Sequence, residues 1–246
     1  MMKTTFYDVY NYPDGSDKRK DYWRFHLGKH MDFSKLKGKK ILDVGCGQGT
    51  ISKILSDAGA DVYAIDYSKV SVEHVKKTYP KIKTQWGDAL NLKFSDNFFD
   101  GVVSIGVLHH TTDTYKGFQE CVRVTKTGGI FLPMLYTKYH HYHFLYKLTW
   151  FLRKNGRKAE DIPRIFIKGI RKLTEWYYKE PRTDKDAVHL IADQFFTPIA
   201  KFYSKRQVLK WGKENGLMFL GSSMTFFGEH RIYNFKKVAE LGNDKK

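Results

Sequence analysis

An α/β fold with a doubly wound, mostly parallel sheet is predicted by three features of this 246-residue chain. The apolar run Ile41, Leu42, Val44 reads as a strand covered on both faces, and it runs into Gly45, Gly47 and Gly49 and then a helical pattern. Strand-then-helix units of the same kind recur along residues 41–135. A hydrophobic share of 41% with 16% aromatic residues suffices for one well-cored domain plus an insertion.

Residues 1–40 precede the first strand and are rich in Tyr and Lys, with Tyr7, Tyr10, Tyr12, Tyr22 and Trp23. Asn11 to Gly15 reads as a turn, and Tyr22 to Met31 carries weak helical periodicity. Thr50, Ile51, Ile54, Leu55 and Ala58 have the spacing of a helix that begins at the glycines. Asp61 to Asp66 is the second strand, and Val70 to Tyr79 is a helix ended by Pro80. Trp86-Gly-Asp-Ala89 follows. Asn97 to Ser104 is a turn feeding an apolar strand that Ile105 to His110 continues. Glu120, Cys121 and Val124 mark a helix that Lys126-Thr-Gly-Gly129 closes at its C-cap, before a strand over Ile130 to Leu135.

Residues 136–200 leave this alternation. Phe144, Leu148 and Phe151 predict one amphipathic helix, and Phe166, Ile170, Leu173 and Tyr177 another. Gly156 and Pro163 break the chain between them, and Phe195-Phe-Thr-Pro198 is a further break. Within 201–246, Ser204 caps a helix over Tyr203 to Trp211 that Gly216 ends. Leu217 to Gly221 and Arg231 to Phe235 are closing antiparallel strands, and Asn243 to Lys246 is a frayed end.

The glycine loop differs from G-x-G-x-x-G, because the third glycine comes one residue early and Thr50 stands in its expected place. Asp43, inside an apolar strand, is expected to be a buried acid with a partner. Asp66 ends the second strand about twenty residues past the loop, where a carboxylate can accept both hydroxyls of a ribose. Its alternative role is to cap the next helix through Ser68. Together Asp43-Val-Gly-Cys-Gly-Gln-Gly49, Asp66, Trp86-Gly-Asp-Ala89 and Ile105-Gly-Val-Leu-His-His110 resemble, in order, the motifs of class I S-adenosylmethionine (SAM) dependent methyltransferases, in the small-molecule, UbiE-like branch. Thr127 stands where that family usually has proline.

The resemblance implies a Rossmann-like, seven-stranded sheet with a helical insertion after the fifth strand. It implies four segments: a cofactor-covering 1–40, a SAM-binding core over 41–135, a lid at 136–200, and a closing helix and strands at 201–246. SAM would be held by Asp43, Gly45, Cys46, Gly47 and Gly49 and by Asp66 on the ribose. Tyr67 would flank the adenine face. Asp88 would accept from the adenine amino group, the Ala89 amide would donate to a ring nitrogen, and the Ile105 and Gly106 backbone would meet the methionine end.

A sulfonium cofactor is already activated, so the protein's task is to align the nucleophile and exclude water. A base is needed only where the acceptor is a hydroxyl or ammonium. His110 is the preferred base among the two adjacent histidines; alternatively one of His109 and His110 packs against the cofactor and the other is solvated. Tyr139, His140 and His143 are candidate substrate-pocket residues near the insertion's entrance. His140 and His143 share a helix face, but no further metal ligand accompanies them, and no metal is expected.

The net charge of +17 lies outside the core: residues 41–132 carry ten Lys/Arg and ten Asp/Glu. A basic rim points to an anionic small-molecule acceptor, nucleic acid or an anionic membrane surface. Two cysteines, Cys46 and Cys121, build no disulfide framework. With no signal-peptide layout and no apolar run of roughly 20 residues, a soluble, cytoplasmic enzyme is expected. Methyl transfer to an O or N atom of a small, anionic metabolite is the favoured reading. A tRNA methyltransferase gripping phosphates with the rim and a non-catalytic SAM-binding protein are the alternatives, although the Asn-Pro-Pro-Tyr signature of many base-modifying enzymes is absent.

Overall fold

The computed structural model describes residues 6–9, 17–178, 181–225 and 228–239, without the side chains of 17, 18, 177 and 178. The expected turn at Asn11 to Gly15, Tyr10, Tyr12, the Tyr177 side chain and the end at Asn243 to Lys246 lie outside this description.

The core strands are β1 (Lys40–Val44), β2 (Asp61–Asp66), β3 (Lys83–Trp86), β4 (Phe99–Ile105) and β5 (Thr125–Thr137). Strands β6 (Phe202–Tyr203), β7 (Leu217–Met224) and β8 (His230–Lys237) follow. The sheet runs β3-β2-β1-β4-β5-β8-β7, with β6 paired to β5. Pairs among β1 to β6 are parallel, and β8 lies antiparallel to both β5 and β7. The mostly parallel seven-stranded path therefore gains a short eighth strand off its line. The strand order reverses between β1 and β4, the place where open α/β sheets form a crevice at their C-terminal ends.

Alternation along each strand divides the interior in two. Ile41, Val103 and Leu132 face one core, with Leu27 of α2 (Asp17–Gly28), Ile51 and Leu55 of α3 (Thr50–Asp57) and Val75 of α4 (Lys69–Thr78). Leu42, Val102 and Phe131 face the other, with Phe118 and Cys121 of α5 (Thr114–Val124) and Val208 and Trp211 of α10 (Lys205–Glu214). Burial of each such side chain is worth about 1.5–3 kcal/mol. The helix expected at Tyr22 to Met31 starts and ends earlier, at Asp17–Gly28.

Several boundaries differ from those the sequence predicts, for local reasons. Strand β4 stops at Ile105 because Gly106 takes φ 79°, and Leu108–His110 is a 3-10 turn rather than a continuing strand. The Lys126 to Gly129 segment is not a helix C-cap. Helix α5 ends at Val124, and β5 begins at Thr125 and runs through Gly128 at φ 81°, opposite a register shift in β4. Strands β7 and β8 are longer than expected because they pair with each other beyond Gly221.

The insertion after β5 is helical, as expected: α6 (His141–Leu148), α7 (Trp150–Lys154), α8 (Arg164–Tyr178), α9 (Asp184–Ile191) and a π-helical turn at Ala192–Phe196. Its own core holds Ile167, Ala187, Ile191 and Phe196, with Leu152 and Ile170 packed against it. The predicted core-facing residues Phe144, Leu148, Phe151, Phe166 and Leu173 are exposed instead. Tyr142, Tyr146 and Ile167 are the buried ones. Both helices carry two apolar faces, so periodicity alone does not select the one that packs.

Candidate functional site

The site is assembled at the C-terminal ends of β1, β2, β4 and β5. After β1 the chain turns under Ile65, whose carbonyl accepts from the amides of both Gly45 and Cys46 at 2.8 and 2.9 Å. Gly45 has φ 78°, and a Cβ there would lie 2.2 Å from Val107 Cγ2, so this approach of the β1 and β4 loops requires glycine. Gly47, at φ 50°, differs: an added Cβ would meet no protein atom within 4 Å, so its backbone borders open space. Gly49, at φ 83°, is the N-cap of α3.

Asp43 lies behind this loop. It is buried, as expected, and has a partner: its Oδ2 accepts from Ser52 Oγ of α3 at 2.6 Å. Burial, opposed in part by that bond and aided by Asp66, pushes its carboxyl up to about 7. Asp43 therefore holds strand to helix from inside. Cys46 is buried beside it, with its thiol pushed up by burial.

Asp66 ends β2 half-buried. Its Oδ2 accepts from the Gly47 amide and its Oδ1 from the Ser68 amide, both at 2.8 Å. Burial raises its pKa, while these amides oppose the rise. Capping of α4 falls to Ser68, whose Oγ accepts from Ser71 N and donates to Asp8 Oδ1 at 2.6 Å. A carboxylate has about four lone-pair positions. The Gly47 and Ser68 amides take two, and the Tyr67 amide also bonds the group, leaving capacity for a hydroxyl donor. Tyr67 and Trp86 form an aromatic wall beside it, their centroids 5.6 Å apart and the Trp86 indole donating to Tyr67 O at 2.9 Å. Asp88 Oδ1 accepts from Leu90 N at 2.8 Å, which orients the carboxylate next to the buried Ala89. Ile105 and Gly106 close β4, and a Cβ on Gly106 would reach Met134 at 3.4 Å.

His110 follows in the 3-10 turn. Its Nδ1 donates to Ile199 O at 2.7 Å, which puts the proton of the neutral ring on Nδ1 and leaves Nε2 as the acceptor. Burial lowers its pKa; Asp193 and the Ile199 bond oppose that shift. Thr197 Oγ1 lies 3.4 Å from Nδ1 and bonds Tyr7 OH at 3.1 Å. Tyr7 and Asp8 belong to α1 (Phe6–Val9), which thus reaches both the Asp66 region and His110. His109 is fully buried, 3.9 Å by ring centroids from Tyr136, as a packing residue.

The three insertion candidates are scattered. Tyr139 is 83% exposed with φ 65°, turned to solvent rather than toward His110. His140 caps α6, its Nδ1 accepting from Tyr142 N, and faces the turn at Gly228. His143 stacks on Phe202 at 4.4 Å. Sequence reasoning missed Tyr136, Glu229 and His230. Tyr136 is buried against the rings of His109, His110, His230 and Tyr142. Glu229 Oε2 lies 3.9 Å from His230 Nδ1; burial first, then Asp193, pushes the carboxyl up to about 7. Burial takes His230 down to about 3, with His110 and His140 adding to the effect. The signal was a Glu-His pair between two strands, but only pairing of β8 with β5 brings it to His110.

Residues 42–132 match the family model described as a methyltransferase domain. A demethylmenaquinone methyltransferase of Paenarthrobacter aurescens is 41% identical over 108 residues, 44% of this chain and 42% of that protein. A probable SAM-dependent methyltransferase of Mycolicibacterium smegmatis is 34% identical over 95 residues, 39% of this chain and 37% of that one. The match thus spans about two fifths of the length of these curated relatives. Among solved structures, a Pyrococcus horikoshii protein aligns over 92% of this chain and 94% of its own, with TM-score 0.60 and 19% identity. The magnesium protoporphyrin IX methyltransferase of Synechocystis, solved with bound SAM, aligns over 91% and 86%, with TM-score 0.57 and 16% identity. These likenesses show a shared fold. Residues 42–132 thus match a methyltransferase domain, and with this sheet order, glycine loop and strand-end acid that segment is similar to the class I SAM-dependent methyltransferases.

Proposed function

We propose that the chain transfers a methyl group to an O or N atom of a small, anionic metabolite, with His110 as general base. The observation that carries this reading is the tautomer of His110: the Ile199 carbonyl takes the Nδ1 proton, so Nε2 is left as an acceptor in the turn that follows β4. The residues fit SAM. Gly47 borders open space, Asp66 keeps acceptor capacity beyond its backbone bonds, and Tyr67 with Trp86 offers an aromatic wall for a purine.

When bound, SAM supplies a methyl group on a sulfonium, ready for in-line displacement. Asp66 accepts the ribose hydroxyls, Asp88 and the Ala89 amide read the adenine edge, and the backbone at Ile105 and Gly106 borders the methionine end. His110 Nε2 takes the proton of an acceptor hydroxyl or ammonium as the new bond forms; burial keeps its ring neutral at physiological pH. Tyr136 and Tyr142 exclude water around it, and α1 covers the crevice by joining Asp66's neighbour Ser68 to Thr197. Basic residues of the insertion attract the acceptor's anionic group. The free, buried Cys46 and Cys121 suit a reducing cytoplasm.

The test is incubation of the purified protein with methyl-labelled SAM and a fractionated cell extract, read by mass spectrometry. Label in a small acidic metabolite is expected. Label in RNA would replace the acceptor by tRNA, and SAM binding without labelled product would refute catalysis.

A further inference from the structure

Helix α8 buries one face and leaves a second apolar face uncovered. Ile167 and Thr174 are buried in the insertion, and Ile170 packs against the same core. On the other side Ile165, Phe166, Leu173 and Trp176 are each between 57% and 76% exposed. At about 100° per residue these four fall within one stripe roughly 100° wide, with Gly169 inside it. Lys172, Lys168 and Arg164, all exposed, run along one edge of that stripe. The segment before it repeats the composition: Phe144, Leu148, Trp150 and Phe151 are each more than half exposed. Lys154 sits 4.9 Å over the Trp150 ring, and Lys147, Arg157 and Lys158 are exposed nearby in sequence. An exposed apolar stripe on this scale marks an interaction surface.

The charge selects the occupant. Residues 141–178 hold nine Lys/Arg against three Asp/Glu. A two-fold contact with a second copy would set these cations against their own equivalents, because such interfaces are self-complementary. A nucleic acid would satisfy the cations and could stack bases on Phe166 and Trp176, but it would leave the aliphatic Ile165, Leu148 and Leu173 in water. An anionic bilayer satisfies both features at once. Trp and Phe settle at headgroup depth, aliphatic side chains enter the acyl boundary, and Lys and Arg reach up to lipid phosphates. We propose that the exposed face of α8, with the adjoining α6–α7 segment, docks on an anionic lipid surface, lying in the interface plane. No described helix is long and apolar enough to cross a membrane, so the contact is peripheral.

The test is cosedimentation of the full chain with vesicles of phosphatidylcholine alone and of phosphatidylcholine mixed with phosphatidylserine. Binding is expected to the mixed vesicles and to weaken with added salt. The double variant Lys168→Glu/Lys172→Glu should lower partitioning onto mixed vesicles by about 10-fold or more. Phe166→Ser/Trp176→Ser should lower it by a similar factor. These positions are exposed, so both variants should keep the wild-type melting curve, and a buried-face change such as Ile167→Ser serves as the contrast that does not. Absence of wild-type binding to mixed vesicles, or unchanged binding by both double variants, would overturn the proposal. So would a concentration-dependent dimer in analytical ultracentrifugation that Phe166→Ser dissolves, which would assign the face to a second copy. Binding of RNA to this face in preference to the vesicles would overturn it as well.

Discussion

Asp66→Ala is the most informative perturbation of the cofactor side of the site. The carboxylate accepts from the Gly47 and Ser68 amides at 2.8 Å each, so it ties the glycine loop to the start of α4. Hydrogen bonds to a charged acceptor are worth about 1.5–3 kcal/mol each. Losing both should destabilise the protein without SAM by a few kcal/mol, although water will satisfy part of what the amides lose. If the remaining acceptor capacity serves the ribose, SAM affinity falls in addition by about 1.5–3 kcal/mol for each hydroxyl bond lost, or at least about 10-fold in Kd. Asp66→Asn keeps one oxygen acceptor and presents an NH2 group to the other partner, so its loss should be intermediate. Isothermal titration calorimetry on the folded fraction separates the two effects. Burial raises the Asp66 pKa, so wild-type SAM affinity should also decline as pH falls through a value above the ordinary 3.8. A variant that melts earlier but binds SAM with wild-type affinity would show that Asp66 only fastens the loop, and the ribose assignment would fail.

Two further predictions concern buried titratable groups. His110→Ala should lower turnover by about 10²–10⁴-fold while shifting SAM affinity far less, and the wild-type rate should fall only below the ordinary histidine range, because burial lowers its pKa. Unaltered turnover would remove it as base. Asp43, pushed up to about 7 by burial, makes the folded state hold its proton more tightly than the unfolded chain does. Its contribution to stability is therefore fully present below about pH 4 and is lost as pH rises toward 7. Asp43→Asn keeps an acceptor for Ser52 and should flatten the stability difference between about pH 5.5 and pH 8 by about 2 kcal/mol in urea titrations. An unchanged slope would mean Asp43 stays ionised throughout.

The glycine loop and the strand-end acid were legible together because their determinants are local. Gly45, Gly47 and Gly49 sit within one turn, and Asp66 closes the neighbouring strand, so strand adjacency alone brings them together. Periodicity likewise located the parallel strands and the helices between them. It failed where two patterns compete. Lys126 to Gly129 reads as a helix stop, yet it is strand because Gly128 absorbs a register shift. Phe166 and Leu173 read as core, yet α8 packs through Ile167.

The surroundings of His110 rest on contacts that link distant parts of the chain. His110 takes its tautomer from Ile199, Tyr7 reaches Thr197, and Glu229 and His230 arrive on β8, which pairs antiparallel to β5. Sequence by itself determined the sheet, the glycine crevice and its strand-end acid, since these depend on short-range backbone geometry and alternating burial. The tertiary structure decided which histidine nitrogen accepts, which carboxylates lose water and which face of α8 stays exposed. Those properties depend on desolvation and hydrogen bonds between segments tens of residues apart, and no local pattern encodes them.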